Sequence, residues 1–287
     1  MRKQYQFGHA KVELRFLDEM KIPENMGLFE IETQEVQKIC ELKFEENLNV
    51  IVETFLAANQ DVKIITRKDM KILTAGEKEC RVIFVGGAKN PYAVYIEESP
   101  RLTYVWVNPE IKEMLEIDTI FVSLLGLEKV MIHSDALILH CAYMCRNEKA
   151  VLFSAPSETG KSTQANLWEK YRGTRTVNGD KSLLLREEDG WYANGWPICG
   201  SSEICHNEAY PIQAIVMLYQ SGENEVRRLG MPEAMKKLMA QITMNMWNSK
   251  FQIKAMDMIQ QLIMEVPVYE LGCNISEDAV KCLERVL

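Results

Sequence analysis

No stretch of the sequence approaches the ~20 consecutive apolar residues that span a bilayer, and no apolar run follows the positive charges of Met1-Arg2-Lys3-Gln4-Tyr5. The first absence predicts no membrane partner, and the second predicts no secretory signal. Excess positive charge is missing too: 33 Lys and Arg stand against 41 Asp and Glu, a formal net charge of −8. A nucleic-acid binder draws its affinity from clustered Lys and Arg on phosphates, so that class of partner is not expected. The paired C-x₂-C spacing of a zinc site is lacking, although there are eight cysteines. A metal set built from His140, Cys141, Cys145, Cys199, Cys205 and His206 is weighed against buried, reduced thiols, and the thiols of a cytoplasmic protein are preferred. No internal repeat or low-complexity segment interrupts the chain.

What is present is ordinary globular material: 287 residues, 47% of them hydrophobic, enough for a core without disulfides. Residues 1–107 read as a mixed, β-rich region of no assigned role. Its expected strands are 11–16, 62–65, 81–85, 92–96 and 102–107, set off by turn formers such as Gly86-Gly87 and Asn90-Pro91, with a short helix at 35–42. Asn108-Pro109-Glu110 opens a helix whose apolar positions, from Ile111 to Leu125, run nearly all round it, as in a buried helix. This is the expected boundary with a second region, 108–287. In that region, three pairs of strand-like runs flank polar turns at 146–149, 187–190 and 221–224, each read as a hairpin. Helical sequence follows from Pro232 to about Ile263 with a break near Trp247-Asn248-Ser249, then a strand at 266–271 and a final helix capped by Ser276.

The most informative segment is 150–170. An apolar strand ending at Ser154 runs into Ala155-Pro156-Ser157-Glu158-Thr159-Gly160-Lys161-Ser162-Thr163, and that loop runs into a helix. Strand, loop, Gly-Lys-Ser-Thr and helix are the context a P-loop requires. Successive main-chain N–H groups there hold phosphate oxygens, helped by the positive helix terminus. Ser157, Glu158, Thr159, Gly160, Lys161, Ser162 and Thr163 are therefore expected to cradle a nucleoside triphosphate, ATP or GTP. Lys161 would neutralise its outer phosphates, and Ser162 would give its hydroxyl to Mg²⁺. The loop departs from the usual pattern at Ala155, which stands in the first Gly position, and Glu158 adds a carboxylate close to the expected polyphosphate.

The surroundings of the loop, Leu139-His140 before the hairpin and Gly179-Asp180-Lys181 at a later strand start, resemble the HPr kinase/phosphorylase-like kinases, related in fold to phosphoenolpyruvate carboxykinase. The chain is also similar in size and order to the small peptide serine kinases of peptide-modification clusters. The resemblance implies an α/β (α+β) fold, with a P-loop core of mixed sheets and flanking helices. It implies a kinase that passes the γ-phosphate of ATP to a hydroxyl on a peptide, a protein or a small molecule. Asp180 would hold Mg²⁺ with Ser162, and His140 would lie beside the γ-phosphate or the acceptor, so the implied catalytic set is His140, Lys161 and Asp180. Relatives of this kind form rings, so a homo-oligomer is compatible with the resemblance. Where such proteins carry two adjacent acids, this chain has Gly179-Asp180. His140 is the expected substitute base, and a nucleotide-sensing module with degenerate catalysis is the alternative; a carboxykinase acting on an oxo-acid is a weaker one. For Glu203 and the pair Arg227-Arg228, solvated surface roles are preferred to roles at the site, and the methionines between Met231 and Met264 are read as adaptable core. The loop from Gly195 to Ser202 is left open between an active-site loop and a plain connection.

Overall fold

The computed structural model describes residues 1–84, 88 and 90–287. Its contacts divide the chain into two compact units, Met1–Leu127 and Glu128–Leu287, so the stretch opened by Asn108 lies in the first. Each unit combines β-sheet with helices, and together they give the expected mixed α/β class with a β-rich N-terminal region.

Among the described residues, the first unit builds a nine-stranded sheet in the order β3-β1-β2-β4-β9-β8-β7-β6-β5. In chain order these are β1 (Arg2–Phe7), β2 (Ala10–Arg15), β3 (Glu30–Ile31), β4 (Lys38–Phe44), β5 (Lys63–Thr66), β6 (Met70–Ala75), β7 (Lys78–Ile83), β8 (Ala93–Glu97) and β9 (Leu102–Val107). Helix α1 (Leu48–Ala58) sets Leu48 and Phe55 against Leu73, Cys80, Val82 and Val94 of that sheet. Residues 35–42, expected as a helix, instead supply most of β4, which runs parallel to both β2 and β9. The reason is the period: Lys38, Cys40 and Leu42 are buried while Ile39 and Glu41 between them are only partly so, an alternation that suits a strand. Lys38 tolerates burial because Glu97 Oε1 and the Pro100 carbonyl each lie 3.2 Å from its ammonium. Of the strand expected at 81–85, Val85 and the following Gly86-Gly87 lie outside the described residues.

Asn108 does cap a helical start, accepting from the Glu110 N–H at 2.9 Å. The buried helix expected after it is instead a 3₁₀ stretch, Pro109–Glu116, followed by α2 (Asp118–Leu124) and α3 (Leu127–His133). Ile117, with β-region backbone at φ −84° and ψ 118°, breaks the i→i−4 ladder and is itself 47% exposed. Gly126, at φ +59°, makes the turn between α2 and α3.

The second unit holds β10 (Ala136–Arg146), β11 (Lys149–Ser154), α4 (Lys161–Arg172), β12 (Arg175–Asn178), β13 (Lys181–Glu187), β14 (Gly190–Asn194), β15 (Ala209–Gln220), β16 (Glu225–Arg228), α5 (Met231–Met239), α6 (Ser249–Glu265), β17 (Val268–Cys273) and α7 (Glu277–Glu284). Strand β10 pairs with β13 along its first half, and with β11 and β12 along its second. Strand β15 starts beside β14 and continues between β11 and β17, parallel to both. Two hairpins form as expected, β10–β11 and β13–β14. The first turns tightly on Asn147 and Glu148, both with positive φ, as a two-residue turn of the I′ kind demands. The third does not form. Strands β15 and β16 never pair, because β17 inserts between them as the parallel partner of one and the antiparallel partner of the other. A parallel partner fifty residues downstream leaves no local signal at the turn.

Both faces of this sheet are covered. Cys141, Tyr143, Leu152 and Ile215 face a cluster with Leu238, Phe251, Ile259 and Leu262 of α5 and α6. Ala142, Met144, Val151, Phe153 and Val216 face Ala165 and Trp168 of α4 and Val280 and Leu283 of α7. Burial on both sides is why β10 and β11 read as unbroken apolar runs. The methionines are divided: Met258 is buried, but Met231, Met246, Met256 and Met264 are exposed, so core packing does not account for all of them.

Candidate nucleotide site

The parallel strands β15 and β17 end together, Gln220 opposite Cys273, and their neighbour β11 ends three residues short, Ser154 opposite Met217, where the loop 155–160 leaves it. Ligands of open α/β sheets bind at such carboxyl ends. Ser154 is buried and donates to the His140 carbonyl at 2.7 Å, fixing the end of β11 to β10. Ala155 is buried, whereas Pro156, Ser157 and Glu158 are exposed and Thr159 and Gly160 half-buried. Gly160 enters α4 at φ +114°, a conformation L side chains avoid, and nothing lies within 4 Å of where a Cβ would stand. Glu158 also takes a left-handed conformation, at φ +64°.

The state of the loop amides decides what it offers a ligand. The Thr159 N–H donates weakly to the Pro156 carbonyl, at 3.4 Å, and the Gln164 N–H begins the helix ladder on the Gly160 carbonyl, at 2.9 Å. Among the described residues, the N–H groups of Ser157, Glu158, Gly160, Lys161, Ser162 and Thr163 have no acceptor. Unpaired main-chain donors on an open loop at a helix start are groups that can accept an anion. Lys161 is only 8% exposed, and its ammonium lies on the Ala155 and Pro156 carbonyls, at 3.1 and 3.3 Å. Burial lowers its pKa, against the opposing pull of the Asp180 carboxylate.

Across from the loop, His140 on β10 and Asp180, just ahead of β13, meet at 3.5 Å between Nε2 and Oδ1. The register of β10 on β13 brings this about, pairing His140 with Lys181, while the Cys141 N–H donates to the Asp180 carbonyl at 2.9 Å. Burial raises the Asp180 pKa, but the hydrogen bond from His140 and the charges of Lys181, His140 and Lys161 outweigh it and hold the carboxyl below its ordinary value. His140 Nδ1 lies 3.3 Å from Gln241 Oε1, and the His140 N–H donates to the Gln241 carbonyl.

The turn carrying Asp180 is closely held. Asn178, fully buried, accepts at Oδ1 from the N–H groups of both Asp180 and Lys181, each at 2.9 Å, and donates to the Trp196 carbonyl at 2.8 Å. The Gly179 N–H donates to the Ile204 carbonyl. A Cβ on Gly179 would stand 1.9 Å from Ser202 Oγ, and that hydroxyl donates to the Cys199 carbonyl at 2.6 Å and accepts from the Ile204 N–H. The glycine-bearing loop is therefore more than a connection: it packs Gly200 against the Asp180 carboxylate and fills the place of a side chain on residue 179.

Lys161, His140 and Asp180 thus share one neighbourhood, and the Ser162 hydroxyl is exposed on the first turn of α4 with no hydrogen-bond partner among the described residues. Glu203 is exposed, and Arg227 is bound to Glu233 and Glu270, which agrees with surface roles for both. Gln241 escaped sequence reading, because nothing local marks a residue whose importance lies in meeting His140, 101 positions away. Ser202 was singled out only as the end of a loop, with no sign that it fills the space beside Gly179, and Asn178 holds the two residues that follow it, a role its Asx-like run suits. Among the described residues no three His, Cys, Asp or Glu side chains are grouped to hold a metal by themselves. Two hard oxygen donors, Ser162 and an ionised Asp180, do suit Mg²⁺, which takes its remaining ligands from phosphates and water. A separate cavity of about 320 Å³, lined by Asp135, Arg186, Trp191, Lys254, Asp257 and Met258, lies away from this loop. Its two cations are already matched, Lys254 by Asp135 and Arg186 by Glu265, so it offers an anion less than the loop does. No helix among the described residues is long and apolar enough to cross a membrane.

No curated protein matches the sequence. Among solved structures, the HPr(Ser) kinase/phosphatase from Coxiella burnetii aligns with 10% identity and a TM-score of 0.33, over 52% of this chain and 95% of that one. The family model described as SynChlorMet cassette protein ScmC matches residues 105–287, more than half of the chain, and on that match the protein belongs to the ScmC family.

Proposed function

We propose that the chain binds Mg²⁺ with ATP or GTP at the loop 155–163 and transfers the γ-phosphoryl group to a hydroxyl. The observation that carries this reading is the set of six unpaired N–H groups on the loop and helix start, those of Ser157, Glu158, Gly160, Lys161, Ser162 and Thr163 among the described residues, on the same loop as the buried Lys161 ammonium. Donors of this kind at a helix start suit the negative charge of a phosphate. Ser162 and Asp180 would hold Mg²⁺, which neutralises phosphate charge when bound. In the transfer, the acceptor oxygen bonds to the γ-phosphorus as the bond to the β,γ-bridging oxygen breaks. The hydroxyl proton passes to the His140–Asp180 pair, and Lys161 balances charge on the leaving diphosphate. Losing an acid at Gly179 need not abolish such a reaction, since phosphoryl transfer depends mainly on positioning and charge stabilisation.

A second reading, nucleotide binding with degenerate catalysis, has its own support. Ser202 occupies the space into which a side chain on residue 179 would project. One experiment separates the two. Labelled ATP, Mg²⁺ and hydroxyl-bearing peptides encoded beside the gene are incubated with the protein, and phosphopeptide is measured beside calorimetric binding. Transfer with stoichiometric ADP supports the kinase. Binding without turnover supports the second reading, and no heat of binding removes both.

A further inference from the structure

The loops that follow β15 and β17 open on the same edge as the phosphate loop, and no role has been given to them. Gln220, the last residue of β15, pairs in register with Cys273, the last of β17. Its side-chain amide donates to the Glu158 carbonyl at 3.4 Å, so this edge is continuous with the phosphate loop. Gln164, on the first turn of α4 and 3% exposed, joins the same surface from below, donating to Cys273 Sγ and the Asn274 carbonyl. Its Oε1 is buried without a partner. Asn224 and Asn274 lock the two loops together: the Asn274 N–H donates to Asn224 Oδ1, and Asn224 Nδ2 donates to Asn274 Oδ1. On this stiffened platform Ile275 stands 77% exposed, more than any other large hydrophobic residue described.

An exposed aliphatic side chain, beside a Gln220 side-chain oxygen and a Gly222 N–H that have no partner among the described residues and on an edge continuous with the phosphate loop, suits a ligand with an apolar face and a polar edge. A nucleobase has both. We infer that this edge is the subsite for the nucleoside part of the triphosphate, with the base lying on Ile275 and its polar edge against the Gln220 amide and the Gly222 N–H. The inference rests on the phosphate-loop reading, and its test keeps the two apart. Calorimetry on the full chain with Mg²⁺ compares ATP, GTP and inorganic tripolyphosphate, for the natural protein and for Ile275→Ser and Gln220→Ala. Both substituted residues are exposed, so neither change threatens folding. The natural protein is expected to bind at least one of the nucleotides roughly tenfold more tightly than tripolyphosphate. Ile275→Ser should reduce that advantage about fivefold and leave tripolyphosphate affinity unchanged. If tripolyphosphate binds as tightly as both nucleotides, or if Ile275→Ser weakens all three ligands alike, the nucleoside subsite is refuted while the phosphate loop stands. If none of the three binds, both fall.

Discussion

The loop before α4 and the turn before β13 bring Lys161 and Asp180 within electrostatic reach and are built on opposite plans. In the first, six main-chain N–H groups lack acceptors among the described residues and the side chains of Ser157 and Glu158 are exposed. In the second, the N–H groups of Gly179, Asp180 and Lys181 are all taken, and Ser202 and Gly200 close over the turn. Donors left open in this way are available to a ligand. A closed turn is made to hold one carboxylate still. On this plan, substitutions in the first loop should act on binding and substitutions in the second on folding and positioning.

The largest effect should come from the centre of the open loop. Lys161→Ala removes the one buried ammonium there and is expected to weaken Mg·ATP binding about 100-fold, as loss of a charge-assisted contact does. Calorimetry would show it, with thermal stability little changed because the lysine bonds only to carbonyls of its own loop. Unchanged affinity would erase the contrast between the two loops. The lowered Lys161 pKa adds a sign. The ammonium is lost as pH rises, and it is lost at lower pH than for a free lysine. Affinity should therefore begin to fall on the alkaline side before the ordinary lysine value of 10.5 is reached.

The closed turn gives the next largest effect, and it is a loss of stability. Gly179→Asp, the obvious way to restore a second acid, would drive its Cβ into Ser202 Oγ. Gly179 has no positive φ, so the cost is steric and amounts to about 1–3 kcal/mol of overpacking. Thermal melting should show the destabilisation in the single variant and most of it recovered in Gly179→Asp with Ser202→Gly. A single variant as stable as the natural protein would mean that Ser202 moves aside freely and the turn is not closed. Asp180→Asn should have a smaller effect: about tenfold weaker nucleotide binding with Mg²⁺ and no change in EDTA. Equal weakening in both conditions would assign Asp180 to the nucleotide rather than to the metal.

The same contrast explains what could be read without coordinates. The strand–loop–helix unit around Lys161 was legible because its signals are contiguous: strand, glycine, lysine, hydroxyl and helix follow one another within twenty residues. The hairpins on Asn147-Glu148 and before Gly190 were legible for the same reason, since strand pairing follows directly from the turn. Ser202 against Gly179 was not, because a glycine reports only that a side chain is absent and not what fills the space. Residues 221–224 gave a false hairpin because the strand between β15 and β16 arrives from positions 268–273. Residues 35–42 were misread because a buried lysine, satisfied by Glu97 and the Pro100 carbonyl, sits where an apolar residue would have disclosed period-two burial.

The smallest expected effect concerns Glu158, the one residue of the open loop that is strained. At φ +64° a residue with a Cβ costs about 1–2 kcal/mol relative to glycine, and its carboxylate stands on the loop that would hold phosphate. Two substitutions divide these contributions. Glu158→Gln removes the charge and keeps the strain, so it should tighten Mg·ATP slightly, by about two- to threefold at low salt and less at high salt, without moving the melting temperature. Glu158→Gly removes both, and should tighten binding by a similar factor while raising stability by up to about 1 kcal/mol, the gain being reduced by the freedom glycine gives the unfolded chain. If glutamine stabilises as much as glycine, the left-handed backbone is not where the cost lies, and repulsion between the carboxylate and its surroundings is. If neither affinity changes, the Glu158 carboxylate points away from the ligand, and the phosphates lie nearer Gly160 and Lys161 than the middle of the loop.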